Sequence, residues 1–234
     1  MSKGIIVVDF SGTLIKPEVA EQANLKRYAR LGIPPPSAQE HKQQHGNKSH
    51  YDVIRDHIED SYGLTDEMQL SYVQNRGDEI SISGKDAKTM IMTDLFRDCM
   101  FLVAREQGRQ IFTDGMLDTL AALREKGFQL AIASGIRTDI ITGMLAIAGC
   151  TVRFDHVVGQ DPVLSRDDNE LLMKEIAKLE QISYVIGDKL SDLEPARALG
   201  ATSIFLKGGH PTGGEEEFAD HVVDEAREIL ELVR

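Results

Sequence analysis

From about residue 110 onward the chain alternates between apolar runs of strand length and segments of helical period. This rhythm constrains the fold more than any other feature of the sequence. IFTDGMLDTLAALREKG places Met116, Leu117, Leu120 and Leu123 on one helical face and stops at Gly127. FQLAIASG is a short apolar run closed by Ser-Gly, the pattern of a buried strand. TDIITGMLAIAG is again helical and closes at Gly149, and DHVVGQD is a strand. DDNELLMKEIAKLE is a helix with acidic residues at its start, where the helix dipole favours them. ISYVIGD, DLEPARALG and TSIFLKGG continue as strand, helix and strand, and FADHVVDEAREILELV adds a short strand and a helix. Strands that alternate with helices in this way require a parallel sheet covered on both faces, a doubly wound α/β fold of Rossmann-like type.

GIIVVDF reads as one more strand of that sheet, but it stands apart from the series at the start of the chain. The segment between has a different character. KPEVAEQANLKRYARLGI, SHYDVIRDHIEDSYGL and KDAKTMIMTDLFRDCMFLVAREQG read as amphipathic helices. GIPPPSAQ ends the first of these helices, and GDEISISG is the one stretch with strand character. The expected layout is an α/β core of residues 1–15 and 110–234, split after its first strand by a mostly helical insertion of residues 16–109.

Charge narrows the class of partner. The 234 residues carry a formal net charge of −12, which repels polyanions and argues against nucleic acid. A small phosphorylated substrate is still admissible, because a metal ion or a few basic side chains can reverse the field inside one cleft. No window approaches the ~18 consecutive apolar residues of a membrane span. The apolar run at Ile5–Val8 is too short for a secretory signal. The two cysteines, Cys99 and Cys150, stand far apart and in no metal-ligand spacing. A reducing, cytoplasmic setting is expected, with a monomer or homodimer.

In a parallel sheet, ligands bind outside the carboxyl ends of the strands. Here those ends carry Asp9, Ser134 and Asp188, with Asp192 four residues further on. Any one of these is as readily a turn or helix-cap residue. Their convergence on one sheet edge is the informative feature. Carboxylates brought together repel unless a cation lies between them, and oxygen ligands of this kind suit Mg2+. After Asp9 the loop FSGT offers two hydroxyls, Ser11 and Thr13, and backbone N–H groups around Gly12 for a phosphate. No GxGxxG follows the first strand, which argues against a dinucleotide enzyme. His41 and His45 share a helical face, but with no carboxylate partner they read as a solvated helix end. Tyr28, Arg55, Tyr72 and Arg97 have nothing in the sequence to single them out.

Taken together, these segments resemble the haloacid dehalogenase-like superfamily over residues 1–15 and 110–234. VVDFSGT matches its first motif, DxDxT after a strand. LAIAS matches the second, and VIGDKLSD the fourth, GDxxxD. Each motif alone is weak, but the set in this order is specific. The resemblance implies that Asp9 attacks phosphorus and forms an aspartyl-phosphate. It also implies that Mg2+ is held by Asp9, the Ser11 carbonyl and Asp188, with Asp192 nearby. Ser134, Gly135, Gly12 and Thr13 would bind the phosphoryl oxygens, and the insertion would act as a lid that selects substrate.

Two positions depart from the family pattern. Ser11 stands where the phosphatases carry a second Asp, and a hydroxyl is a poor general acid or base near neutrality. The third-motif cation, usually Lys, falls at Arg166 by helix frame, with Lys174 as the alternative. The implied activity is a phosphohydrolase on a small metabolite. Ser11 leaves open phosphonate cleavage or another phosphoryl transfer, or a phosphate-binding protein with weak turnover. Phosphonate cleavage would need an insertion lysine, and the candidates are Lys26, Lys42, Lys48, Lys85 and Lys88.

Overall fold

The structure is a computed structural model that describes residues 3–32, 69–73, 79–160 and 169–234. Its centre is β1 (Ile5–Val8), four β-branched residues buried without exception. Such a run suits a strand covered on both faces. Around it stand β4 (Gln129–Ser134), β5 (His156–Gly159), β6 (Ile182–Gly187), β7 (Thr202–Leu206) and β8 (His221–Val223). They form one six-stranded sheet in the order β5-β4-β1-β6-β7-β8, with every neighbouring pair parallel.

Side chains of β1 alternate between two apolar layers, as the period of a strand demands. Ile6 and Val8 join Leu130, Ile132, Ile186 and Ile204 on one face. That layer packs on α3 (Met116–Glu125) and α4 (Thr138–Ile147) through Met116, Leu120, Leu123, Ile140, Ile141 and Met144. Ile5 and Val7 join Ala131, Ala133 and Val185 on the other face, under α5 (Asn169–Ala177) and α6 (Leu190–Ala198). The chain then closes through α7 (Glu215–Phe218), β8, a 3-10 turn at Ala226–Glu228 and α8 (Ile229–Leu232).

From β1 the chain builds outward through β4 and β5, then returns to the other side of β1 with β6, β7 and β8. The order therefore reverses between β1 and β6. A crevice opens at such a switch point, outside the carboxyl ends of the strands. Asp9 follows β1 and Asp188 follows β6, so the topology delivers both to that crevice.

Within residues 16–109 two helices are described, α1 (Pro17–Leu31) and α2 (Gly84–Gln107). Pro17 starts α1 where its missing N–H costs nothing. Gly32 ends it at φ 68°, with its N–H donating to the Ala29 carbonyl at 3.2 Å. α2 packs on α1 and on α4, and its Phe96, Cys99, Met100 and Val103 belong to the same apolar cluster as Val8 and Phe10. The strand character of GDEISISG is realised as β3 (Glu79–Ser83). It pairs antiparallel with β2 (Gln69–Val73), a strand that the sequence pattern does not announce. QLSYV has only Leu70 and Tyr72 in alternation, too short a pattern to stand out from its polar surroundings. The expected helix in SHYDVIRDHIEDSYGL, together with His41, His45 and Arg55, lies outside the described residues. Among those residues no helix is long and apolar enough to cross a membrane.

Candidate active site

Asp9 is fixed by the strand ladder and by a tight loop after it. Its N–H donates to the Ile186 carbonyl at 2.9 Å, which ties it to β6. Leu14 N–H then donates back to the Asp9 carbonyl at 3.2 Å, and Ile15 N–H to the Phe10 carbonyl at 2.8 Å. Phe10 is wholly buried and anchors the turn in the core. Gly12 adopts φ 94°, a left-handed conformation that favours glycine. A Cβ at Gly12 would also overlap the Asp188 carboxylate, so the loop passes against that side chain.

Asp188 leaves the end of β6 and is held from two further directions. Thr13 Oγ1 donates to its Oδ1 at 3.3 Å, and His210 N–H donates to its Oδ2 at 2.6 Å. Asp192, in the first turn of α6, accepts the Lys189 N–H on Oδ2 at 3.2 Å. Ser134 ends β4 and is buried. Its carbonyl accepts from Gln160 N–H at 3.1 Å, and its Oγ is 3.4 Å from the Ile136 N–H.

The three carboxylates Asp9, Asp188 and Asp192 converge. Each offers an oxygen within 4.8 Å of the others, and their exposures are only 6%, 0% and 3%. Burial raises the Asp9 carboxyl well above the usual carboxylate range, and the charges of Asp192 and Asp188 push it the same way. The same two causes, burial and the Asp188 charge, lift Asp192 to about 7. Lys189 opposes both shifts without cancelling them. A buried cluster with this much unbalanced negative charge, all of it on oxygen, fits a hard divalent cation.

Residues 4–200 match the sequence profile of the haloacid dehalogenase-like hydrolases. The chain belongs to the haloacid dehalogenase-like hydrolase family. Over 142 residues it is 24% identical to a phosphoglycolate phosphatase of Pectobacterium atrosepticum, covering 58% of this chain and 60% of that one. Over 132 residues it is 26% identical to a phosphoglycolate phosphatase of Escherichia coli, covering 55% of this chain and 52% of that one. The chain thus spans little more than half the length of these relatives. Among solved structures, CbbY from Rhodobacter sphaeroides in complex with phosphate superposes with a TM-score of 0.71 at 17% identity, over 98% of this chain and 96% of that one. At that identity the likeness concerns the fold.

Ser11, Gly135 and Lys174 of this haloacid dehalogenase-like chain are among the described residues. Ser11 is half-buried two residues after Asp9, and Gly135 is exposed just beyond Ser134. Lys174 is exposed in the last turn of α5. Arg166 lies outside the described residues.

Sequence reasoning missed the loop after β7. Gly209 lies so close to Asp188 that a Cβ there would overlap its carboxylate, and the next residue supplies the N–H bond at Oδ2. Buried Glu215 braces the far end of this loop by accepting from Thr212 and Gly213 N–H groups. The Gly-Gly pair at the tip of an apolar strand was the available signal. Gly209→Ala should displace the Asp188 carboxylate and weaken divalent-cation binding by about 10-fold or more, the usual scale for disturbing a ligand's support. Calorimetric titration with Mg2+ or Mn2+ checks this, and wild-type affinity in the variant would show that the loop does not hold Asp188 in place.

Proposed function

We propose that this chain is a Mg2+-dependent phosphohydrolase that acts on a small phosphorylated metabolite through an aspartyl-phosphate on Asp9. One observation carries the reading: three buried carboxylates meet at the switch point of a parallel sheet, in a chain of the haloacid dehalogenase-like hydrolase family. Asp9, the Ser11 carbonyl and Asp188 would hold the ion, with Asp192 beside them. When bound, Mg2+ supplies charge neutralisation for the phosphate and the developing transition state.

Within this scheme an Asp9 Oδ attacks phosphorus in line with the bond to the leaving oxygen. That P–O bond breaks, the leaving group takes up a proton, and a mixed anhydride remains on Asp9. Water then attacks the phosphorus of this anhydride and returns the carboxylate and inorganic phosphate. Thr13, Ser134 and the N–H groups of the Asp9 loop would orient the phosphoryl oxygens.

Residues 16–109 would form the cap that selects the substrate. The named relatives support a small phosphorylated acid, so phosphoglycolate is the first compound to test. Turnover of a panel of phosphomonoesters with Mg2+ tests the reading directly. No turnover by the wild type, with phosphate binding retained, would replace it with the second reading, a phosphate-binding protein of this fold. Ser11 is the observation behind that alternative. Of the lysines that a phosphonatase reading could use, Lys26 pairs through Nζ with Glu106 at 2.9–3.0 Å.

If proton transfer to the leaving group limits the rate, Ser11→Asp should raise kcat on a poor leaving group. The gain is expected to be about 10²-fold, the lower end of what general acid catalysis supplies. An unchanged kcat, with Mg2+ affinity preserved, would show that another group already delivers that proton.

A further inference from the structure

Arg137 stands three residues after Ser134, at the entry to α4, and its side chain is only 11% exposed. The guanidinium grips Asp139 with two parallel bonds, Nε to Oδ1 at 2.9 Å and Nη2 to Oδ2 at 2.7 Å. Its Nη1 donates at 2.8 Å to Oδ1 of Asp94, a residue of α2, the helix that returns from the insertion. The same Asp94 oxygen accepts from Arg97 Nη1 at 3.1 Å, and Arg97 lies 3.9 Å from Asp139. Arg97 is held in turn by Asp98, through Nε at 3.2 Å and Nη2 at 3.1 Å. Isolated surface ion pairs contribute little, but a bidentate arginine inside a five-residue network is the arrangement in which such pairs hold a geometry.

The loop between β4 and α4 is pinned on its other side. Gln160 N–H donates to the Ser134 carbonyl, and Gly159 N–H donates to Thr138 Oγ1 at 2.9 Å. α2 is itself seated against α4 where the Phe101 ring occupies the space a Cβ at Gly143 would need. Asp94 lies two turns from Phe101 toward the start of α2. The loop that carries Ser134 is thus clamped between β5 and a helix of the insertion, and Arg137 makes the second attachment.

We propose that Arg137 is a positioning residue: through Asp94 it holds the Ser134 loop in register with α2, so that the insertion helps to place the Ser134 hydroxyl. The proposal rests on reading Ser134 as a phosphate-binding residue. A double-mutant cycle of Asp94→Asn, Arg137→Gln and the pair tests it, with Arg137→Lys as the conservative variant. Three properties are read: affinity for inorganic phosphate with Mg2+ present, kcat and KM on para-nitrophenyl phosphate, and hydrogen exchange at the Gly135, Ile136 and Arg137 amides.

Each single variant should weaken phosphate binding about 5-fold or more, the pair should be no worse than the poorer single, and the three amides should exchange faster. Arg137→Lys should fall between wild type and Arg137→Gln, because it keeps the charge but not the fork. Effects that multiply independently in the cycle, or a lowered melting temperature with phosphate affinity unchanged, would overturn it. If the wild type neither binds phosphate nor turns over, the functional reading fails while the exchange arm still decides the link. Faster exchange at these amides in Asp94→Asn sustains it, and unchanged exchange removes it.

Discussion

Asp9→Asn is expected to lower turnover by at least about 10⁴-fold, because it removes the attacking oxygen and one anionic ligand together. Loss of a nucleophile in other covalent enzymes costs on the order of 10⁶ in kcat, so this is a conservative bound. The substitution keeps the shape of a buried side chain whose backbone is already tied to β6 and to the turn at Leu14. It also removes a charge that burial and two neighbouring aspartates oppose. The metal-free variant should therefore melt at or above the wild-type temperature at neutral pH. The combination separates chemistry from folding: activity lost and stability kept identify the nucleophile. A variant that retains more than about 1% of wild-type kcat would remove Asp9 from that role, since residual activity of this size exceeds what a missing nucleophile leaves behind.

The parts of the site that are legible in the sequence are those set by strand ends. IIVVD and YVIGD place an acid at the tip of an apolar run. The doubly wound pattern then requires both tips to lie at one edge, and Asp9 and Asp188 meet there. Asp192 follows from one helical turn after Asp188, and Ser134 from the end of β4. The parts that are not legible depend on loops crossing over one another. The Gly-Gly pair in LKGGHP signals a close approach, but nothing local tells that its partner is a carboxylate from a different strand. Arg97 and Arg137 carry no sequence signal of their roles. Their link through Asp94 joins segments that only the docking of α2 on α4 brings together. β2 is hidden for a related reason, because a five-residue strand becomes visible only once its partner is known.

Divalent metal should reverse the pH dependence of stability that the site imposes on the metal-free protein. Asp192 titrates near 7 in the native state, and Asp9 is also raised, whereas both return to about 4 when the chain unfolds. Between those limits the native state binds more protons than the unfolded chain. Stability then falls as pH rises, and the share of that cost owed to Asp192 is present in full above about pH 7. Asp155, Glu215 and Asp220 are shifted the opposite way by their hydrogen bonds and by Arg124 beside Asp155, so their contribution is lost as pH falls below the ordinary carboxylate range. Above about pH 5 those three are constant, so among the shifted carboxylates of the described residues the slope comes from the site.

A shift of this size corresponds to a few kcal/mol, or roughly 5–15 °C in melting temperature for a chain of this length. With EDTA the melting temperature should therefore decline from about pH 5 to about pH 8. Saturating Mg2+ should raise it far more at the upper end, where fewer protons have to be displaced from the carboxylates. Asp192→Asn should flatten the metal-free decline. A metal-free melting temperature that rises over this range, or a Mg2+ stabilisation equal at both ends, would mean that the three carboxylates do not share the uncompensated charge from which the metal centre is inferred.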